Sequence, residues 1–82
     1  MGKRSGPVEK ETKEWRATLG LRIAFYRKKR GWSQLMLAER AGVSAKYISS
    51  LESPLQKQMP SFKTFCAIAY ALGVSPHQLL ER

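Results

Sequence analysis

The chain has 82 residues and carries fifteen Lys or Arg against six Glu, a formal charge of +9. That length predicts one small domain with a modest core, and the charge points to a polyanionic partner, of which nucleic acid is the commonest; a basic surface kept for solubility is the plainer alternative. The lone Cys66 excludes an intrachain disulfide and a cysteine-based zinc cluster, and no apolar run is long enough to span a membrane, so with no signal-peptide pattern the expectation is a cytoplasmic, nucleoid-associated protein with no metal, no cofactor and no membrane partner.

Residues 1–11 read as a flexible basic arm, polar and rich in Gly and Pro at its start, with Lys3 and Arg4 able to follow a groove of DNA. A first helix is expected from near Thr12, where Leu19, Ile23 and Tyr26 recur at i, i+4, i+7. Lys28, Lys29 and Arg30 suit the negative end of its dipole, and Gly31 stops it. Gly20 inside this helix costs about 1 kcal/mol relative to Ala, unless it permits a close helix contact. The basic weight lies here: residues 1–32 hold ten Lys or Arg and three Glu, residues 33–82 five and three.

Ser33 is the N-cap candidate of a second helix, about 34–41, which Gly42 ends. Ser44 caps a third, about 45–52. Residues 53–60 form a loop bounded by Pro54 and Pro60, and Ser61 caps a fourth helix, about 62–72, stopped by Gly73. Ser75-Pro76-His77-Gln78 combines a capping Ser, Pro at the first helical position and Gln three residues on, opening a short fifth helix at about 76–81. The fold class is therefore all-α, a compact five-helix domain over 12–82. Its expected core is Leu19, Ile23, Tyr26, Trp32, Leu37, Ala38, Val43, Ile48, Leu51, Phe65, Ile68, Ala69, Leu72, Val74 and Leu79.

The second and third helices, with the bend between them, make a helix-turn-helix over about 34–53. Ala38 is small enough for a close crossing, and Gly42 can adopt φ > 0 at the bend. Val43, Ile48 and Leu51 fall on one face of the third helix and pin it to the domain, leaving Ala45, Lys46, Ser49 and Ser50 pointing outward. In a positively charged domain such a helix is suited to the major groove of DNA. Lys46 can donate to guanine O6 and N7, or meet a phosphate, or stay a surface charge. Serine discriminates bases weakly, and Ala45 offers at most contact with a thymine methyl, so DNA shape and the arm are expected to share in specificity.

In order along the chain stand Leu19-Gly20-Leu21-Arg22-Ile23, Arg27, Ser33-Gln34, Leu37-Ala38-Glu39, Ala41-Gly42-Val43-Ser44, Tyr47-Ile48-Ser49, Leu51-Glu52, Pro60-Ser61, Ile68-Ala69, Ala71-Leu72-Gly73-Val74-Ser75 and Leu79-Leu80. This ordered set resembles the phage-repressor helix-turn-helix family, the XRE or lambda repressor/Cro type, over most of the chain. The resemblance implies the lambda-repressor-like five-helix fold and sequence-specific binding of double-stranded DNA by a transcriptional regulator, a repressor acting as a homodimer on a two-fold operator. It makes Ala45, Lys46, Ser49 and Ser50 the base-facing residues, with Gln34 touching a phosphate while bracing the third helix. Ser44, Tyr47, Lys57 and Arg22 are further phosphate candidates, although Ser44 can simply cap its helix and Tyr47 can be a packed ring. The resemblance also implies an ion pair between Arg27 and Glu52; two solvated charges are the alternative.

Two departures stand out. The segment between Glu52 and Pro60 is about two residues longer than the family pattern and lacks its Gly, and Leu35 and Met36 stand where polar residues are commoner. Those two side chains are either slightly apolar surface or a contact for a protein partner. The alternative function is accordingly a protein-interaction module, such as an antitoxin or adaptor subunit. An enzyme is not expected: one His, one Cys and six dispersed carboxylates form no acid pair, phosphate loop or metal spacing.

Overall fold

Helix α1 runs Ser5–Lys29, α2 Gln34–Ala41, α3 Ala45–Glu52 and α4 Phe62–Leu72. A short 3-10 helix, Pro76–Leu80, stands in the fifth place. The structure is a computed structural model that describes residues 5–55 and 59–81, with side chains from residue 8 onward, and contains no strand among them.

The caps explain the boundaries. Ser33 accepts the amide of Met36 at 3.1 Å, Ser44 that of Tyr47 at 3.0 Å and Ser61 that of Thr64 at 3.2 Å. Each cap satisfies one of the amides that a helix start leaves without an internal partner. The Ser75 amide donates to Gln78 Oε1 at 2.8 Å, the reciprocal half of the expected capping box. Only one turn is completed before Glu81 becomes extended, and its tighter 3-10 pitch replaces the α-helix expected at about 76–81.

Helix α1 begins well before Thr12, so the flexible arm expected over 1–11 is corrected from Ser5 onward; Lys3 and Arg4 lie outside the described residues. Pro7 sits in the first turn, where its missing N–H would have had no helical partner. Glu9 and Lys13 are spaced i, i+4 in the favourable order. Thr12 is an interior residue, its hydroxyl donating back to the Val8 carbonyl at 2.8 Å.

The core consists of Leu19, Ile23, Leu37, Ala38, Ile48, Leu51, Ile68, Ala69, Leu72 and Leu79, each no more than 2% exposed. Tyr26, Trp32, Val43, Phe65 and Val74 pack against it half-buried. Helix α3 lies against α2 and α1, α4 against α2, and the 3-10 helix against α1. Gly20 is where α1 meets α3: a Cβ there would collide with the Leu51 carbonyl oxygen. A side chain would therefore force the two backbones apart, and close helix contact is why glycine stands here.

Candidate nucleic-acid interface

Helix α3 has two faces. Ile48 and Leu51 are 0% and 2% exposed and join the core. Lys46, Ser49 and Ser50, at i, i+3 and i+4, are exposed together on the opposite side. Ala45 and Tyr47 flank them half-buried. The structure thus brings the expected base-facing residues onto one surface, with Lys46 as its only charge.

Both ends of α3 are fixed. At its start, Gly42 takes φ 77° and Val43 donates its amide to the Ala38 carbonyl at 3.0 Å, reversing the chain within three residues. Ser44 then caps α3. At its end, the Glu52 carboxylate accepts from Arg27 Nε at 2.7 Å, Arg27 Nη2 at 2.9 Å and Gln34 Nε2 at 2.9 Å. Arg27 Nη1 donates to the Trp32 carbonyl at 2.7 Å. One carboxylate therefore ties α1, α2 and α3 together through a two-pronged guanidinium bond and a carboxamide. The Arg27 and Glu52 side chains are only 10% and 8% exposed, so the pair is buried structure rather than two solvated charges.

Electrostatics follow the geometry. The hydrogen bond to Glu52 holds the Arg27 guanidinium protonated above its already high range, outweighing the opposing effect of burial. Burial pushes the Tyr47 phenol up from its ordinary value, so it remains a neutral donor at neutral pH. Gln34 is half-buried, and its bond to Glu52 uses one of its two N–H groups while keeping the carboxamide beside the third helix. Leu35 is 55% exposed and Met36 half-buried.

One expected residue is not brought to this face. Arg22 comes two residues after Gly20, about 200° around α1 from the point that touches α3. Its guanidinium lies over the rings of Phe25 and Tyr26, 4.8 and 5.1 Å from their centroids, and donates to the Tyr26 hydroxyl at 3.1 Å. Helical phase, which a role assigned from charge alone ignores, separates it from α3. Lys57 lies outside the described residues.

One structural role was missed. Arg30, expected to suit the dipole at the end of α1, donates Nε to the Leu72 carbonyl at 2.8 Å and so caps the end of α4. Trp32 is flanked by Arg30 and Arg40, with guanidinium carbons 5.3 and 4.3 Å from the ring. The available signal was the last turn of α4, which has no basic residue of its own to meet its terminal carbonyls.

Comparison with known proteins places these features in a group. A family model described as a helix-turn-helix domain matches residues 20–82. The HTH-type transcriptional regulator SinR of Bacillus subtilis (strain 168) is 44% identical over 63 residues, 77% of this chain and 56% of that protein. The immunity repressor protein of Bacillus phage phi105 is 40% identical over 57 residues, 70% of this chain and 38% of the repressor. The chain thus spans about half the length, or less, of these curated relatives. Among solved structures, SinR in complex with DNA, described as the master regulator for biofilm formation, aligns with a TM-score of 0.70 at 44% identity, over 77% of this chain and 98% of that one. The hypothetical transcription factor NHTF from Neisseria aligns with a TM-score of 0.75 at 33% identity, over 82% and 75%.

Proposed function

The chain belongs to the phage-repressor, or XRE, type of helix-turn-helix proteins, and on that premise we propose that it binds double-stranded DNA sequence-specifically as a transcriptional regulator, a repressor acting as a homodimer on a two-fold operator. The observation that carries this reading is the exposed trio Lys46, Ser49 and Ser50 on a helix whose opposite face is buried and whose end is clamped through Glu52. A helix held at both ends enters a groove without first being ordered, so little binding energy is lost to ordering it. The similarity to SinR, solved in complex with DNA, supports the same assignment.

In this reading Lys46 donates to a guanine edge, while Ser49, Ser50 and Ala45 contribute smaller contacts. Gln34, Ser44 and the neutral Tyr47 phenol meet phosphates on either side of the groove and set the register. Two such helices in a dimer would lie one turn of DNA apart, about 34–36 Å.

The test is selection of bound duplexes from a random pool at fixed, near-physiological salt, followed by sequencing. Enrichment of a palindrome supports a dimeric operator binder. Salt-sensitive binding without enrichment overturns it, and then the alternative, a protein-interaction module using the exposed Leu35 and its neighbour Met36, is the better account.

A further inference from the structure

Helix α1 is far longer than the bundle requires. Leu19 is 1% exposed where α1 enters the core, whereas Val8, eleven residues and about 16 Å earlier, is 64% exposed. The 43 Å long axis of the molecule against 22 and 21 Å reflects a helix that projects. Its apolar stripe does not stop at the bundle. Val8, Thr12, Trp15, Leu19 and Tyr26 fall on one 3.5-residue repeat, with Arg22 at the remaining position. Leu19 and Tyr26 use that stripe within their own chain, whereas Val8 presents it to solvent.

A second apolar surface lies between the start of α4 and the 3-10 helix. Met59, Pro60, Phe62, Phe65 and Leu80 line an open groove of about 210 Å³. Phe62 is 77% and Met59 45% exposed. Leu80 adjoins Glu81, which borders Thr18 of α1, so this groove lies close to where α1 leaves the bundle.

Charge identifies the occupant. The projecting segment 8–18 carries Glu9, Glu11 and Glu14 against Lys10, Lys13 and Arg16, half of all the carboxylates in a chain of net charge +9. Such a segment gains nothing from a polyanion. It is the stretch that a second, basic copy can approach without repulsion, and Lys63, exposed beside Phe62, offers a cation to its glutamates. A two-fold pairing uses stripe and groove twice each, which helps small surfaces reach the roughly 1,200 Å² of a stable interface.

We propose that two copies of this chain pair reciprocally, the Val8–Thr12–Trp15 stripe of each α1 seated in the Met59–Phe62–Leu80 groove of the other. This deepens the dimeric reading above and rests on it for its biological purpose, although the pairing itself needs no DNA.

The experiment is sedimentation equilibrium of the full chain without DNA at 0.15 M salt, for the unaltered protein, Val8→Asp, Phe62→Asp and an equimolar mixture of the two variants. Dimerisation of the unaltered protein should weaken at least about tenfold in each variant. The mixture should associate more tightly than either variant alone, because one arm–groove contact survives only in the mixed pair. Both sites are exposed, and Asp suits the first turn of α4, so thermal midpoints measured at concentrations where all three proteins are monomeric should be alike. A chain that stays monomeric, a dimer indifferent to both variants, or a mixture no tighter than its components overturns the proposal. Binding to a duplex bearing a single half-site should be the same for all three proteins; loss of that binding in the unaltered chain would instead overturn the DNA-binding reading.

Discussion

Glu52 accepts three hydrogen bonds from two helices, and its side chain is 8% exposed. In Glu52→Gln one carboxylate oxygen becomes an NH2 group that faces Arg27 donors, leaving a buried cation without its partner. Breaking a buried pair in this way costs about 3–5 kcal/mol, so the thermal midpoint should fall by more than about 10 °C in a domain of this size. Gly20→Ala acts by a different route. Alanine gains about 1 kcal/mol of helix propensity but pushes on the Leu51 carbonyl, a backbone atom that cannot rotate away. We expect a net loss of about 1–3 kcal/mol in urea unfolding. Lys46→Ala should leave stability unchanged, because the side chain is exposed. In DNA titrations across salt it should relax base preference at one position per half-site and leave the salt slope as it was; a slope lower by about 0.9 would assign Lys46 to a phosphate instead.

At the level of elements, the caps carry much of the local specification. Ser44→Ala should cost about 1 kcal/mol by removing the acceptor of the Tyr47 amide, and should fray the first turn of α3, measurable as faster amide exchange there. Serine and glycine punctuation is why α2, α3 and α4 were legible from the sequence to the residue: each starts after a capping Ser, and α2 and α4 stop at a glycine with positive φ. The start of α1 was not legible, because Gly6 and Pro7 read as breakers where Pro in a first turn is tolerated. The fifth element was legible as a capped turn but not as 3-10, since a capping box marks where a helix starts and leaves its pitch open. At the site, the outward residues of α3 came from helical periodicity alone. The Arg27–Glu52 pair came only from family resemblance, because the partners are 25 residues apart and nothing local couples them. Arg22 stands apart from α3 because its phase on α1 turns it away from the Gly20 contact, and the bond of Arg30 was not legible because its partner, Leu72, lies 42 residues away.

At the scale of the whole molecule, α3 presents one exposed polar face, and the apolar groove and the projecting part of α1 are further surfaces. On the proposed reading, the excess of positive charge would supply attraction to DNA that falls with salt, and the sparse reading surface would leave much of the discrimination to groove shape. The two surfaces can work together, since α1 both clamps α3 through Gly20 and Arg27 and extends past the bundle. The central claim is that the exposed side of α3 is the DNA face. Its most direct test is the amide spectrum of the isotope-labelled protein, recorded as a selected duplex is added. Shifts should concentrate on Gln34, Ser44–Tyr47 and Ser49–Ser50 while Leu21, Arg22 and Phe25 stay in place; shifts concentrated on Leu21, Arg22 and Phe25, with α3 unmoved, would contradict it.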